Sequence, residues 1–251
     1  MRSPISIFAV LILAAGAAHA QVAPGLALRW NHCFAQGTGT DLRSFACNTN
    51  NGLEQLIGSF SLNHDMPEVS GLDIILDVFT GGNPFFPPAP NGGPLPEWWK
   101  FVQVGTCRQT SLSISTAADP VDDACGDWAA GQAAGALGAY TVDIQGAGSA
   151  RLHAVTAVLP DDLQALVAGR EYYGFTLNIN HSRTVGAGSC GGCDTPVWLL
   201  FHVLTVTTPQ PQNNFHLEGP LNGTDSNFVI WSPQPVPTKS ATWSALKSLY
   251  R

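Results

Sequence analysis

The sequence predicts an all-β protein: an antiparallel β-sandwich or jelly roll of about ten strands with one or two short helices, stapled by disulfides. Three observations predict it. Apolar and polar residues alternate over short stretches bounded by Gly, Pro, Asn and Asp, the period-2 pattern of strands with one face in a core. Gly 26 and Pro 18 supply many turns, while Lys and Glu are too few for a helical bundle. Six cysteines follow an export leader, so disulfides can hold a loop-rich fold.

Taken in order, Arg2 and the apolar run from Ile5 to Ala18 read as a signal peptide over residues 1–20. Ala18-His19-Ala20 gives a small-x-small cleavage site, so Gln21 is the expected mature start. The run is shorter than the roughly 20 residues that span a bilayer, and no Cys follows it for lipid attachment. A protein exported to the periplasm, the cell surface or the medium is expected. Residues 21–251 are expected to form a single sandwich domain, because no linker divides them and no fixed-period repeat is evident.

Leu72, Ile74, Leu76 and Val78 share one face of a strand, with Asp73 and Asp77 on the other. Tyr140 to Ile144 and Leu152 to Leu159 flank the turn Gly146-Ala147-Gly148-Ser149, a hairpin pattern. Tyr173, Phe175, Leu177 and Ile179 alternate with Thr176, Asn178 and Asn180. Val197 to Val206 is almost entirely apolar, which suits a central strand covered on both sides. Weaker strand patterns lie near 26–32, 55–62, 100–104, 110–116 and 227–231. Pro160-Asp161-Asp162 with Leu163, Leu166 and Val167 reads as a short helix ended by Gly169. Ser240 could cap a final helix with Trp243, Leu246 and Tyr250 on one side and Lys247 and Arg251 in its last turn. The longest irregular segment, Gly81 to Pro96, holds six prolines and is long enough to suggest a functional loop.

Hydrophobic residues at 45% against 12% charged exclude a disordered chain and allow a true core. The net charge is −7, and the few Lys and Arg form no cluster. A basic face is what neutralises phosphates, so nucleic acid is excluded as a partner. Electrostatic attachment to anionic membranes is excluded on the same ground, and no membrane insertion is expected after leader cleavage.

Cys33, Cys47, Cys107, Cys125, Cys190 and Cys193 read first as three disulfides, for which 15 pairings exist. Short loops close most easily, so nearest-neighbour pairing is the expectation: 33 with 47, 107 with 125, and 190 with 193. Cys190-Gly191-Gly192-Cys193 could instead be a redox dithiol, but it precedes a strand and lacks the electropositive surroundings that acidify a thiol. A structural loop disulfide is the plainer reading. No second C-x-x-C completes a zinc site.

Trp98, Trp99 and Phe101 beside the proline-rich loop are candidate binding residues, since exposed rings can stack on sugars or anchor a protein. Burial at a core edge is the competing reading. Asp119, Asp122, Asp123 and Asp127 are candidate calcium ligands, calcium being the one cofactor the sequence suggests. They do not match the D-x-D-x-D-G loop, and turn-capping explains such residues equally well. There is no G-x-S-x-G, H-E-x-x-H or P-loop pattern, and His153, His181 and His202 read as ordinary strand or loop histidines. No catalytic residue is nominated.

Four segments carry a likeness. They are Trp30-Asn31-His32-Cys33 with Phe45 to Asn50, Glu97 to Phe101 with Cys107-Arg108, Thr184-Val185-Gly186 leading to Cys190-Gly191-Gly192-Cys193, and the stretch from Thr242 to Arg251. Together they resemble a group of uncharacterised secreted bacterial proteins. The resemblance spans nearly all of residues 21–251 and implies one structural unit, but it brings no activity, substrate or site residues. In that group the strand after the C-x-x-C often carries a further Cys, where this chain has Trp198 nearby.

The expected function is a secreted, non-catalytic binding or surface-structural module. Its partner could be a glycan or a cell-surface protein, and exposed strand edges would permit self-assembly. The alternative is an exported enzyme: a hydrolase with an unfamiliar site, or a thiol-disulfide oxidoreductase using Cys190 and Cys193.

Overall fold

The computed structural model describes residues 22–37, 39–81, 93–117, 125–223 and 225–232. The expected signal peptide, most of the proline-rich loop and the expected C-terminal helix lie outside the described residues.

Two main sheets face each other. The five-stranded sheet runs in the order β1 (Gly25–Trp30), β3 (Leu53–Ser61), β11 (Glu171–Asn180) and β6 (Leu112–Ser115), with the two-residue β7 (Gly126–Asp127) also on β11. The seven-stranded sheet runs β2 (Leu42–Arg43), β14 (Phe228–Trp231), β12 (Val197–Thr207), β5 (Gly71–Thr80), β9 (Ser149–Ala157) and β8 (Ala134–Val142), with β13 (Phe215–Glu218) also on β12. A small third sheet pairs β4 (Met66–Val69) with β10 (Gln164–Leu166). Among the described residues all strand-to-strand pairings are antiparallel except the two-residue contacts of β7 with β11 and β2 with β14. The predicted all-β sandwich stands.

The core lies between the sheets. Leu26, Leu28, Leu56, Phe60, Phe175, Leu177 and Ile179 enter it from one side. The even-numbered residues Leu72 to Val78 meet them from the other, with Leu152, Leu199, Phe201 and Leu204. Phe175 and Phe201 touch edge to face, with ring centroids 5.2 Å apart. Gly58 stands opposite Phe175 in register, and a Cβ there would lie 2.2 Å from that ring. The missing side chain makes room for the aromatic.

The hairpin around residues 146–149 forms as expected, joining β8 to β9. Two other expectations are corrected. Pro160–Asp162 makes only one 3-10 turn, and Leu163 is already extended at φ −56°, ψ 138°. The chain then becomes β10, because Leu166 gains burial by pairing beside Met66 on β4. No strand forms over 100–104, since Val102 takes φ 66° and Phe101 makes just one bridge, to Arg108.

The disulfide pairing is also corrected. Cys33 bonds Cys125, Cys47 bonds Cys193, and Cys107 bonds Cys190, with Cα–Cα distances of 6.1, 5.8 and 5.9 Å. Loop closure favours short spans only logarithmically, so the positions the sheets impose decide the partners. The C-x-x-C is split between two bonds, which removes it as a dithiol centre. Among the described residues no helix is long and apolar enough to cross a membrane.

Candidate functional site

The two sheets treat their outer faces differently. On the five-stranded sheet, Ile57 and Tyr173 lie under Cys33 and Cys125 in a small second core. Glu171, only 3% exposed, accepts the backbone N–H groups of Phe34 and Ala35 and the hydroxyl of Ser59. The part of that face around Ile57, Ser59 and Tyr173 is roofed by its own chain, while the row Gln55, Asn178 and Ser113 keeps exposure. On the seven-stranded sheet the outward residues Asp73, Ile75, Phe79, Arg151, His153, Trp198 and His202 all keep partial exposure.

A charged network crosses the middle of this second face. Asp77 on β5 is directly opposite Arg151 on β9 and 1% exposed at its side chain. Arg151 Nε donates to Asp77 Oδ1 at 2.7 Å, and Nη2 donates to Oδ2 at 2.8 Å. Gln145 Nε2 adds a bond to Oδ2 at 2.9 Å. His202 Nδ1 approaches the same oxygen at 2.6 Å. Since the ionised carboxylate can only accept, Nδ1 donates to it; Arg151 Nη2 also lies 3.0 Å from that nitrogen, and no hydrogen bond reaches Nε2 among the described residues. His202 sits at the register shift between Phe201 and Val203, and such a bulge re-aims a side chain. Burial raises the Asp77 pKa, but the bonds from Arg151 and His202 outweigh it and hold the carboxyl below its usual range. The same bond raises the pKa of Arg151.

A second pair lies beside the first. His153 Nε2 donates to Asp73 Oδ1 at 2.6 Å, with side chains 42% and 44% exposed. Towards the other end of the strands, Phe79 stands opposite Trp198, which lies 5.2 Å from Phe228 between ring centroids. Strand residues two apart are separated by about 7 Å, so this aromatic row borders the Asp77 row.

The residues singled out from sequence lie elsewhere. Trp98 and Trp99 are 0% exposed and Phe101 is 2% exposed, which corrects the platform expectation: buried rings cannot stack on a ligand. Trp98 Nε1 donates to Thr184 Oγ1 at 3.0 Å, and the Arg108 guanidinium lies 3.4 Å from a Trp98 ring centroid. Arg108 donates to the Trp98 and Asn180 carbonyls, and Tyr140 donates to that of Trp99. Burial lowers the Arg108 pKa to about 9 and raises that of the Tyr140 phenol. The two disulfides at Cys190 and Cys193 sit at this end of the core, so the aromatics seal it. Asp127 turns its carboxylate onto its own loop, accepting from Ala129 N at 2.9 Å and Gly131 N at 2.7 Å. Asp119, Asp122 and Asp123 lie outside the described residues. Among the described residues no group of three or more metal-ligating side chains converges.

A cleft of about 260 Å³ beside β4 is lined by His64, Asp65, Glu68 and Thr208, among others. His64 is already engaged there by Asn63 Oδ1 at 2.6 Å and by the Phe215 ring edge. Asp65 accepts from Ala168 N.

Sequence reasoning placed Asp73 and Asp77 on the outward face but missed their partners. Arg151, His153 and His202 come from distant strands. Their signal is a charged or imidazole residue at an outward position of a strand with an apolar inner face. No protein-family profile matches the chain, and no curated protein matches it in sequence.

Proposed function

We propose that the protein is exported by its signal peptide and acts outside the cytoplasm as a non-catalytic β-sandwich binding module, using the outer face of the seven-stranded sheet. The observation that carries this reading is the contrast between the two outer faces. One is roofed over much of its length by Cys33–Cys125 and the segment that Glu171 caps, which leaves open a row of small polar side chains, Gln55, Asn178 and Ser113, with no aromatic beside it. The other presents a pre-organised row of polar side chains, locked by Asp77, beside partly exposed aromatic residues. Fixed polar groups next to apolar surface are what recognition sites use. Three disulfides suit an oxidising compartment.

Hydroxyl-radical footprinting tests the reading. The purified protein is compared with the protein incubated with extracellular material from its own source. Protection of Trp198, His153 and His202 is the expected result. Protection confined to the five-stranded sheet would overturn it.

A further inference from the structure

We infer that the ligand of this face is an uncharged glycan, held across β9, β5 and β12 by hydrogen bonds with Arg151, His153, His202 and Asp73, with one sugar ring on Trp198. The inference rests on the binding-module reading and adds the ligand's chemistry.

Charge decides against an anion. The carboxylate of Asp77 matches the guanidinium of Arg151 through two hydrogen bonds. Asp73 adds a negative charge on the same side of β5. With the histidines counted neutral, the face has no positive excess to offer a phosphate, sulfate or carboxylate. A cationic ligand would need converging acidic groups, but Asp77 is buried with both oxygens occupied.

The remaining hydrogen-bonding capacity suits hydroxyl groups. Among the described residues no hydrogen bond reaches Arg151 Nη1, His202 Nε2, His153 Nδ1 or Asp73 Oδ2. Arg151 Nη1 is a donor. Each of the two ring nitrogens accepts in a neutral imidazole and donates in a protonated one, the other nitrogen being held by a carboxylate. Asp73 Oδ2 is an acceptor. A sugar hydroxyl both donates and accepts, so a polyol satisfies a mixed array of this kind, whereas an anion would satisfy only the donor. The aromatic row lies about 7 Å along the strands from the Asp77 row, within the reach of adjoining sugar units. The partly exposed Trp198 ring supplies apolar surface for the apolar side of one of them.

Binding to an array of uncharged and acidic glycans, followed by calorimetric titration of the best uncharged oligosaccharide, tests the inference. Wild type is compared with Trp198→Ala and Asp73→Asn, each checked for an unchanged melting temperature. Val104→Ser, at a residue 91% exposed and away from the face, is the control. Uncharged oligosaccharides are expected to bind wild type and the control equally, and both face variants to lose at least tenfold in affinity. Uncharged-glycan binding that survives both variants overturns the inference, as does the absence of binding to any uncharged glycan. Selective binding of acidic glycans that Trp198→Ala abolishes overturns the ligand class and leaves the module reading standing. Conversion of a bound glycan to products overturns the module reading itself.

Discussion

Asp77 and Arg151 face each other across β5 and β9 in a two-point ion pair, with the carboxylate buried and the guanidinium 27% exposed at its side chain. Such a pair is costly to halve. Arg151→Ala leaves a buried carboxylate with only His202 and Gln145 as partners. A loss of about 3 kcal/mol in urea denaturation is expected, while Asp77→Asn with Arg151→Met should recover much of it.

The same carboxyl fixes a direction in pH. Its pKa is lower folded than unfolded, so its contribution to stability is fully present above the unfolded value near 4. It is lost as pH falls through the folded value. Melting temperatures measured from pH 5 down to pH 2 should fall less steeply for Asp77→Asn than for wild type. Parallel curves would contradict the assignment.

The disulfides make a pairing prediction that mass spectrometry of unreduced peptides checks directly. Cys190→Ser should expose a thiol at Cys107, and Cys193→Ser should expose one at Cys47. Spans of 83 and 146 residues correspond to about 4.5 and 5 kcal/mol of unfolded-chain entropy. Each replacement should therefore lower the melting temperature sharply.

Gly58 is expected to tolerate no side chain. Gly58→Ala drives a methyl group into the Phe175 ring and should cost about 1–3 kcal/mol. The double variant Gly58→Ala, Phe175→Leu should recover part of that loss in a thermal melt.

Trp99 gives a test of the buried aromatic end. Trp99→Ala should destabilise the protein by about 3–5 kcal/mol, whereas loss of an exposed platform ring would leave the melting temperature almost unchanged.

Much of the fold is legible because strand alternation reports a local property, which face is apolar. Leu72 to Val78 and Phe175 to Ile179 are strands with their odd and even faces as read, while a register shift between Tyr173 and Phe175 turns Tyr173 to the opposite face, into the small core with Cys33 and Cys125. Where pairing decides, local pattern misleads. Leu163 and Leu166 carry helical spacing, yet the open edge at β4 draws this stretch into β10. Tryptophan next to tryptophan is equally compatible with a core and a platform, and only the packing of Phe45, Arg108 and Trp231 around the pair separates them. The polar row was half visible. Asp77 could be placed on its face from β5 alone, but Arg151 and His202 reach it from 74 and 125 positions along the chain. No local pattern carries that information.

On the proposed export route, the order in which cysteines emerge differs from the order in which they bond. A chain threaded N-terminus first presents Cys33 and Cys47 together, while Cys125 and Cys193 are still on the other side. Oxidation of thiols as they appear would join neighbours, and none of the three native bonds joins neighbours. The early products must then be broken and remade by thiolate attack once the last strands have crossed. Maturation should accordingly depend on a disulfide-shuffling catalyst, and yield from a host lacking one should collapse even where oxidising power is ample.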